Sequence, residues 1–229
     1  MSLSNPREES PVKKFFKVRA STGDVVYYDK SQSKEVEVPL DFRFVVLDVL
    51  NTVGGFHEPS NSGIWGNEFR NSTTDVLRVR TKAGVLMEGT YSSIRDRLKA
   101  LGGKFANSVY IAYRDGGDWT LGNINFVGAS VSEWFDFSKG KRFDLRPGVA
   151  VTGFERRTKG RTEYFVPVFA GWDVPSGDLA AAAEMDRGLQ EYLHASLGRD
   201  TGDAAAVAEP LVQQSFSAPS APLSAAAPF

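Results

Sequence analysis

From residue 15 to residue 169 the chain is a succession of short apolar runs punctuated by turn residues, and one helical run of fixed position interrupts it. Residues 15–19 and 24–29 flank Ser21-Thr22-Gly23, the pattern of a short hairpin. Residues 41–50 (DFRFVVLDVL) form a long apolar strand leading into Gly54-Gly55. Strands at 64–70 and 75–81 follow, separated by Asn71-Ser72, and 85–88 extends the meander beyond Lys82-Ala83-Gly84. The period then changes. In 91–101 (YSSIRDRLKAL) Ile94, Leu98 and Leu101 share a helical face, and Gly102-Gly103 marks the stop. Strands resume at 105–114 and 119–127 across Asp115-Gly116-Gly117-Asp118; a short helix or turn at 131–137 and strands at 149–156 and 162–169 complete the body.

Strand, strand, strand, helix, strand, strand is the chain order of an OB-fold, a five-stranded Greek-key barrel that binds oligonucleotides on strands two and three and between two of its loops. Here those loops are 51–63 and 115–118. The expected fold is mainly β: an OB-fold-like five-stranded barrel with one helix between strands 3 and 4, extra strands, a C-terminal helix and a disordered tail. A β-sandwich is the rival. Residues 1–11 read as a flexible N-terminus, 12–172 as the β domain, 173–199 as an acidic helix and 200–229 as a tail. Within the third segment, Leu179, Ala182, Ala183, Met185 or Asp186, Leu189, Tyr192 and Leu193 approximate a helical stripe, with Gly198 at its end. The fourth is almost wholly Ala, Pro, Ser and Gly, too poor in apolar surface to offset its ordering entropy.

Composition narrows the chemistry. With no cysteine there is no disulfide, thiol nucleophile or Cys-based zinc site, and two histidines, His57 and His194, leave little for a triad or metal cluster. His57 beside Glu58, Ser60 and Ser62 has the residue types of a base–nucleophile loop, but no nucleophile elbow, paired-His spacing or phosphate loop accompanies it. The expectation is a non-enzyme without a cofactor or metal. No apolar run approaches a membrane span and the N-terminus is polar, so a soluble cytoplasmic protein without membrane contact is expected. Charge is uneven: Met1 to Trp172 carries 25 Lys+Arg against 20 Asp+Glu, and Asp173 to Phe229 carries 2 against 8. A basic body joined to an acidic segment is one way for a polyanion binder to carry its own competitor.

Single strands are held by aromatic platforms and a cationic groove, and the body alternates these ingredients. In 75–81, Leu77 and Val79 suit the core, which turns Arg78 and Arg80 outward. In 105–114, Val109 and Ile111 suit the core, leaving Ser108, Tyr110, Ala112 and Arg114 on the open face. Trp119 starts the next strand, with Asn123 and Asn125 on its face, and Trp65 and Phe69 interleave with Asn67 and Arg70. Bases would stack on Trp65, Phe69, Tyr110 and Trp119. Phosphates would pair with Arg70, Arg78, Arg80 and Arg114, and Lys159 and Arg161 in ERRTKGR would extend the path; Lys139, Lys141 and Arg142 are a further basic group. The competing expectation treats the same aromatics as protein-burying surface in a β-rich viral structural or assembly protein or a polymerase accessory adaptor.

The chain ends Ala226-Ala227-Pro228-Phe229. A tail with a terminal Pro-Phe, after an oligonucleotide-type barrel, resembles the single-stranded DNA-binding proteins of bacteria and phages, and the layout of 12–172 resembles a phage-encoded member. That resemblance implies an OB-fold protein that coats exposed strands in replication or recombination, with Pro228 and Phe229 docking on replication or recombination proteins. Tails of that family carry several acidic residues before Pro-Phe, whereas Ser224 to Ala227 carry none. The implied ligand is single-stranded DNA; RNA stays open because stacking platforms do not report the sugar, and so does a homo-oligomer.

Overall fold

The apolar runs become strands wherever alternate residues can be buried. The computed structural model describes residues 9–200; the expectations for 1–8 and 201–229, Pro228 and Phe229 included, lie outside the described residues. In chain order the elements are β1 (Lys14–Arg19), β2 (Asp24–Asp29), β3 (Lys34–Val38), β4 (Phe42–His57), β5 (Ser62–Gly66), β6 (Val76–Thr81), β7 (Gly84–Thr90), α1 (Tyr91–Ala100), β8 (Gly103–Asp115), β9 (Asp118–Val127), α2 (Ala129–Ser138), β10 (Gly148–Lys159), β11 (Thr162–Trp172) and α3 (Ser176–Asp200). The fold is mainly β, with the expected helix after the strand meander. β3 was not foreseen, and the strand expected at 64–70 stops at Gly66.

β4 is the spine. It pairs with β8 along nearly its whole length, while its other edge is shared between β10, opposite Phe42 to Val45, and β5, opposite Gly54 to His57. A bulge between Val46 and Asp48 bends it between those two partners. The unbroken apolar run Phe44-Val45-Val46-Leu47 follows from this position, because cores lie on both faces of the strand. On one face Phe44, Val46, Ile111, Ile124 and Phe126 pack beneath Trp134 of α2 and Val149 and Val151 of β10. On the other, Val45, Leu50, Tyr110 and Leu121 are covered by Ala182, Leu189 and Leu193 of α3.

The expected barrel is not closed. The sheet runs β3-β2-β1-β9-β8-β4-β5-β6-β7, with β10 and β11 branching from β4. The hairpin β10–β11 curls toward the β1–β2 turn, where the Phe165 N–H donates to the Ala20 carbonyl at 2.7 Å, but no strand ladder joins them. β5, β6 and β7 do not return to the wall because they have a core of their own, in which Val53, Ile64, Phe69, Leu77, Val79 and Met87 pack on Ile94 and Leu98 of α1. Among the described residues seven strands precede α1, and they pair as one extended sheet, not as a five-stranded barrel. Where this arm meets the wall, the α1–β8 turn crosses the end of β4 so closely that a Cβ on Gly102, whose φ is +86°, would collide with the Phe56 carbonyl oxygen. Among the described residues no helix is long and apolar enough to cross a membrane.

Candidate nucleic-acid interface

Burial decides which of the sequence-selected residues can meet a ligand. Leu77, Val79, Val109 and Ile111 are buried as expected, and Arg78 and Arg80 take the opposite face of β6. Two of the four stacking platforms must be withdrawn. Phe69 is 1% exposed; past the end of β5 the chain no longer alternates, and its ring fills the arm core. Tyr110 is 5% exposed because α3 covers the face of β8 that the sequence leaves open. Its hydroxyl donates to the Glu68 carboxylate at 2.6 Å, and burial with that neighbouring charge pushes its pKa up. Neither ring presents a face on which a base can stack.

The arginines keep their outward positions but have internal partners. Arg70 donates twice to Asp48, at 3.1 and 2.7 Å. Burial alone would raise the Asp48 carboxyl, but hydrogen bonds from Arg70 and Gln190 and the Arg70 charge hold it below its ordinary value. Arg78 pairs with Glu88, its cross-strand neighbour on β7, and lowers that carboxyl in turn. Trp65 is half-buried on β5, in register with Arg80 of β6. Arg114 lies over the Trp119 ring at 4.6 Å, and both donate to Asp178 at the start of α3, at 2.5 and 2.9 Å. Lys159 and Arg161 are exposed on either side of Gly160 at the β10–β11 tip, while Arg157 pairs with Glu133 of α2.

A second surface, overlooked in the sequence, combines aromatic rings with cations that lack such partners. Phe69, Tyr91, Phe105 and Phe135 form a row from the arm core to solvent. Successive ring centroids lie 5.9, 5.1 and 6.2 Å apart, and the first and last contacts are stacked at 22° and 21°. Phe135, on α2, is 50% exposed. Beside the row is a groove of about 370 Å³ lined by Tyr91, Arg95 and Lys99 of α1 and by Lys104 and Phe105 of β8. Lys99 and Lys104 are exposed and have no side-chain hydrogen bond or ion pair with any described residue; Arg95 has only a 3.7 Å contact with Asp96. Burial raises the Tyr91 phenol, so it stays a neutral donor. The sequence does carry a signal for this ridge: Tyr91, Arg95 and Lys99 recur at i, i+4, i+8 along α1, flanking the buried Ile94 and Leu98. Phe135, by contrast, sits in an aromatic cluster (WFDF) whose exposed member no period distinguishes.

The His57 loop is joined by hydrogen bonds, His57 Nδ1 to Ser60 Oγ at 2.7 Å and Ser60 Oγ to Ser62 Oγ at 2.9 Å, with Ser62 buried against the Lys82 backbone. It braces the β4–β5 turn. Among the described residues no group of three or more His, Cys, Asp or Glu is placed to hold a metal ion. In comparisons with family models, curated proteins and solved structures, nothing matches this chain.

Proposed function

We propose that this chain is a non-catalytic single-stranded DNA-binding protein that coats exposed strands during replication or recombination, with the groove between α1 and β8, and the aromatic row beside it, as its principal contact. One observation carries the reading: an aromatic row ending in the half-exposed Phe135 runs beside Lys99 and Lys104, two cations with no partner among the described residues. Stacking on such rings contributes about 1–3 kcal/mol per base and requires no particular sequence. Unpaired lysines can take phosphates without first giving up a carboxylate, and a duplex offers no free base faces to the rings. The exposed tip carrying Lys159 and Arg161 offers a second group of phosphate contacts, on the hairpin that Arg157 ties to Glu133 of α2.

The test is fluorescence anisotropy of labelled oligo-dT, oligo-rU and a duplex of equal length. Oligo-dT is expected to bind well ahead of the duplex, and Phe135→Ala or the pair Lys99→Ala/Lys104→Ala to weaken it. Equal affinity for duplex and single strand, or wild-type affinity in both variants, sinks the reading. None of the four tryptophans lines the groove, so a labelled strand is the right reporter. The competing reading, a β-rich structural or assembly protein, is favoured by the outer edge of β7, which among the described residues pairs only with β6 and exposes Val85. Concentration-dependent association without nucleic acid, coupled to absent strand binding, would select it.

A further inference from the structure

The lining of the α1–β8 groove bears on which part of a strand enters it. Arg95 and Lys99 of α1 and Lys104 of β8 set three cations along it, against the single carboxylate of Asp96. The two rings in the lining, Tyr91 and Phe105, are half-buried and already engaged within the row. Tyr91 meets Phe69 and Phe105, and Phe105 meets Tyr91 and Phe135. An occupant of the groove therefore meets N–H donors and positive charge, not an open ring face. Those are the partners of a phosphodiester.

The open face lies outside the groove. Phe135 is 50% exposed, and among the described residues its one ring contact is with Phe105, at 6.2 Å and 21°. A base stacked on the free side of Phe135 lengthens the row by one member. Beyond that ring the chain turns basic again. The Lys139 N–H donates to the Phe135 carbonyl at 3.0 Å, which sets Lys139 one helical turn from the ring, at the C-terminal end of α2. Like Lys99 and Lys104, Lys139 is exposed and has no side-chain hydrogen bond or ion pair with any described residue. Against Arg95, Lys99, Lys104 and Lys139 stand the exposed Asp96 and Asp136, so the path keeps a net positive charge.

We infer that a strand lies on this surface with its backbone inward: one phosphate in the groove at Lys99 and Lys104, the adjoining base on the free face of Phe135, the next phosphate at Lys139, and the pairing edges of the bases toward solvent. Stacking occupies the face of a base and leaves its hydrogen-bonding edge free. A strand held in this way still pairs with its complement, which gives the protein a further activity, the presentation of coated strands for annealing. This orientation rests on the strand-binding reading of the groove and extends it.

Anisotropy of the full-length chain with labelled oligo-dT, an abasic deoxyribose-phosphate strand of equal length and a methylphosphonate oligo-dT separates backbone from base. Removing the bases is expected to weaken binding only by the factor that Phe135→Ala costs oligo-dT, about fivefold to 150-fold for one stacked base. Phe135→Ala should leave abasic binding unchanged. The uncharged methylphosphonate strand should bind far more weakly, and Lys139→Ala is expected to lower the magnitude of the slope of log K against log salt by about 0.7. Annealing of donor-labelled oligo-dT, saturated with protein, to acceptor-labelled oligo-dA is expected to run at least as fast as on the bare strand. Absence of oligo-dT binding by the wild type overturns the strand-binding reading itself. With binding present, four results each overturn the inward backbone and leave strand binding standing: an abasic strand that falls well below the Phe135→Ala loss, full affinity for the methylphosphonate strand, a wild-type slope in Lys139→Ala, or annealing slowed in proportion to coverage.

Discussion

Phe69 and Phe135 stand at opposite ends of one row of rings, and the same substitution should separate them. Phe69 fills the arm core, so Phe69→Ala leaves a cavity and is expected to cost about 3–5 kcal/mol in a urea unfolding series. Phe135 keeps half its surface in solvent. Phe135→Ala is expected to leave stability within about 0.5 kcal/mol and to weaken oligo-dT binding by the stacking contribution, about 1–3 kcal/mol. Asp48 supplies the pH dependence at this scale. Its folded-state pKa lies below the ordinary value because Arg70 and Gln190 hydrogen-bond the ionised carboxylate against the pull of burial. A carboxylate depressed in the folded state contributes fully above its unfolded value, about 3.9, and the contribution is lost as pH falls through the lower folded value. Asp48→Asn is therefore expected to cost about 1–2 kcal/mol at pH 7, at the low end for a charged hydrogen bond because Arg70 is half-exposed. It should also flatten the acid limb of the urea midpoint against pH. Parallel acid limbs in the variant and wild type would assign the acid sensitivity to other carboxylates.

At the scale of elements, period-2 and period-3.6 patterns located most strands and the helices α1 and α3, because each needs only its own residues to show which face is apolar, while 131–137 stayed open between a short helix and a turn. They could not say what each strand would pair with. Residues 76–81 read as a strand from Leu77 and Val79, but those two side chains say nothing about whether their neighbours are the wall or α1. The open barrel and the burial of Tyr110 have one cause: partners distant in sequence, the α1 core in one case and α3 in the other. The junction that holds the proposed groove is visible as Gly102-Gly103 in the sequence, though only as a helix stop. In the fold, Gly102 allows the α1–β8 turn to pass the Phe56 carbonyl. Gly102→Ala forces an L side chain to φ +86° against backbone and is expected to cost about 1–3 kcal/mol. Because α1 and β8 carry Lys99 and Lys104, it should also weaken oligo-dT binding under conditions where the chain remains folded. Full affinity in a destabilised Gly102→Ala would separate the turn from the groove.

Across the whole molecule, charge ranks differently in the fold than in the sequence. The sequence offers arginines on strand faces as phosphate contacts, since a guanidinium on an outward position looks the same whether or not a carboxylate lies beside it. In the fold Arg70, Arg78, Arg114, Arg146 and Arg157 each face one, at Asp48, Glu88, Asp178, Asp186 and Glu133, while Lys99 and Lys104 do not. Those ion pairs tie the arm to β4, α3 to the body and the hairpin to α2, so they hold the architecture while the lysines remain available to a strand. Salt dependence distinguishes the two groups. Each phosphate neutralised on a single strand contributes about −0.7 to the slope of log K against log salt. Lys99→Ala/Lys104→Ala is therefore expected to lower the magnitude of that slope by about 1.4 while leaving the urea midpoint nearly unchanged. Arg70→Ala should do the opposite, lowering the midpoint and preserving the slope. Anisotropy titrations across a salt series, with unfolding curves on the same preparations, measure both quantities. An unaltered slope in the lysine pair would move the phosphate path to the hairpin tip at Lys159 and Arg161. A reduced slope in Arg70→Ala would mean that a bound strand displaces Asp48 and takes its place on the guanidinium.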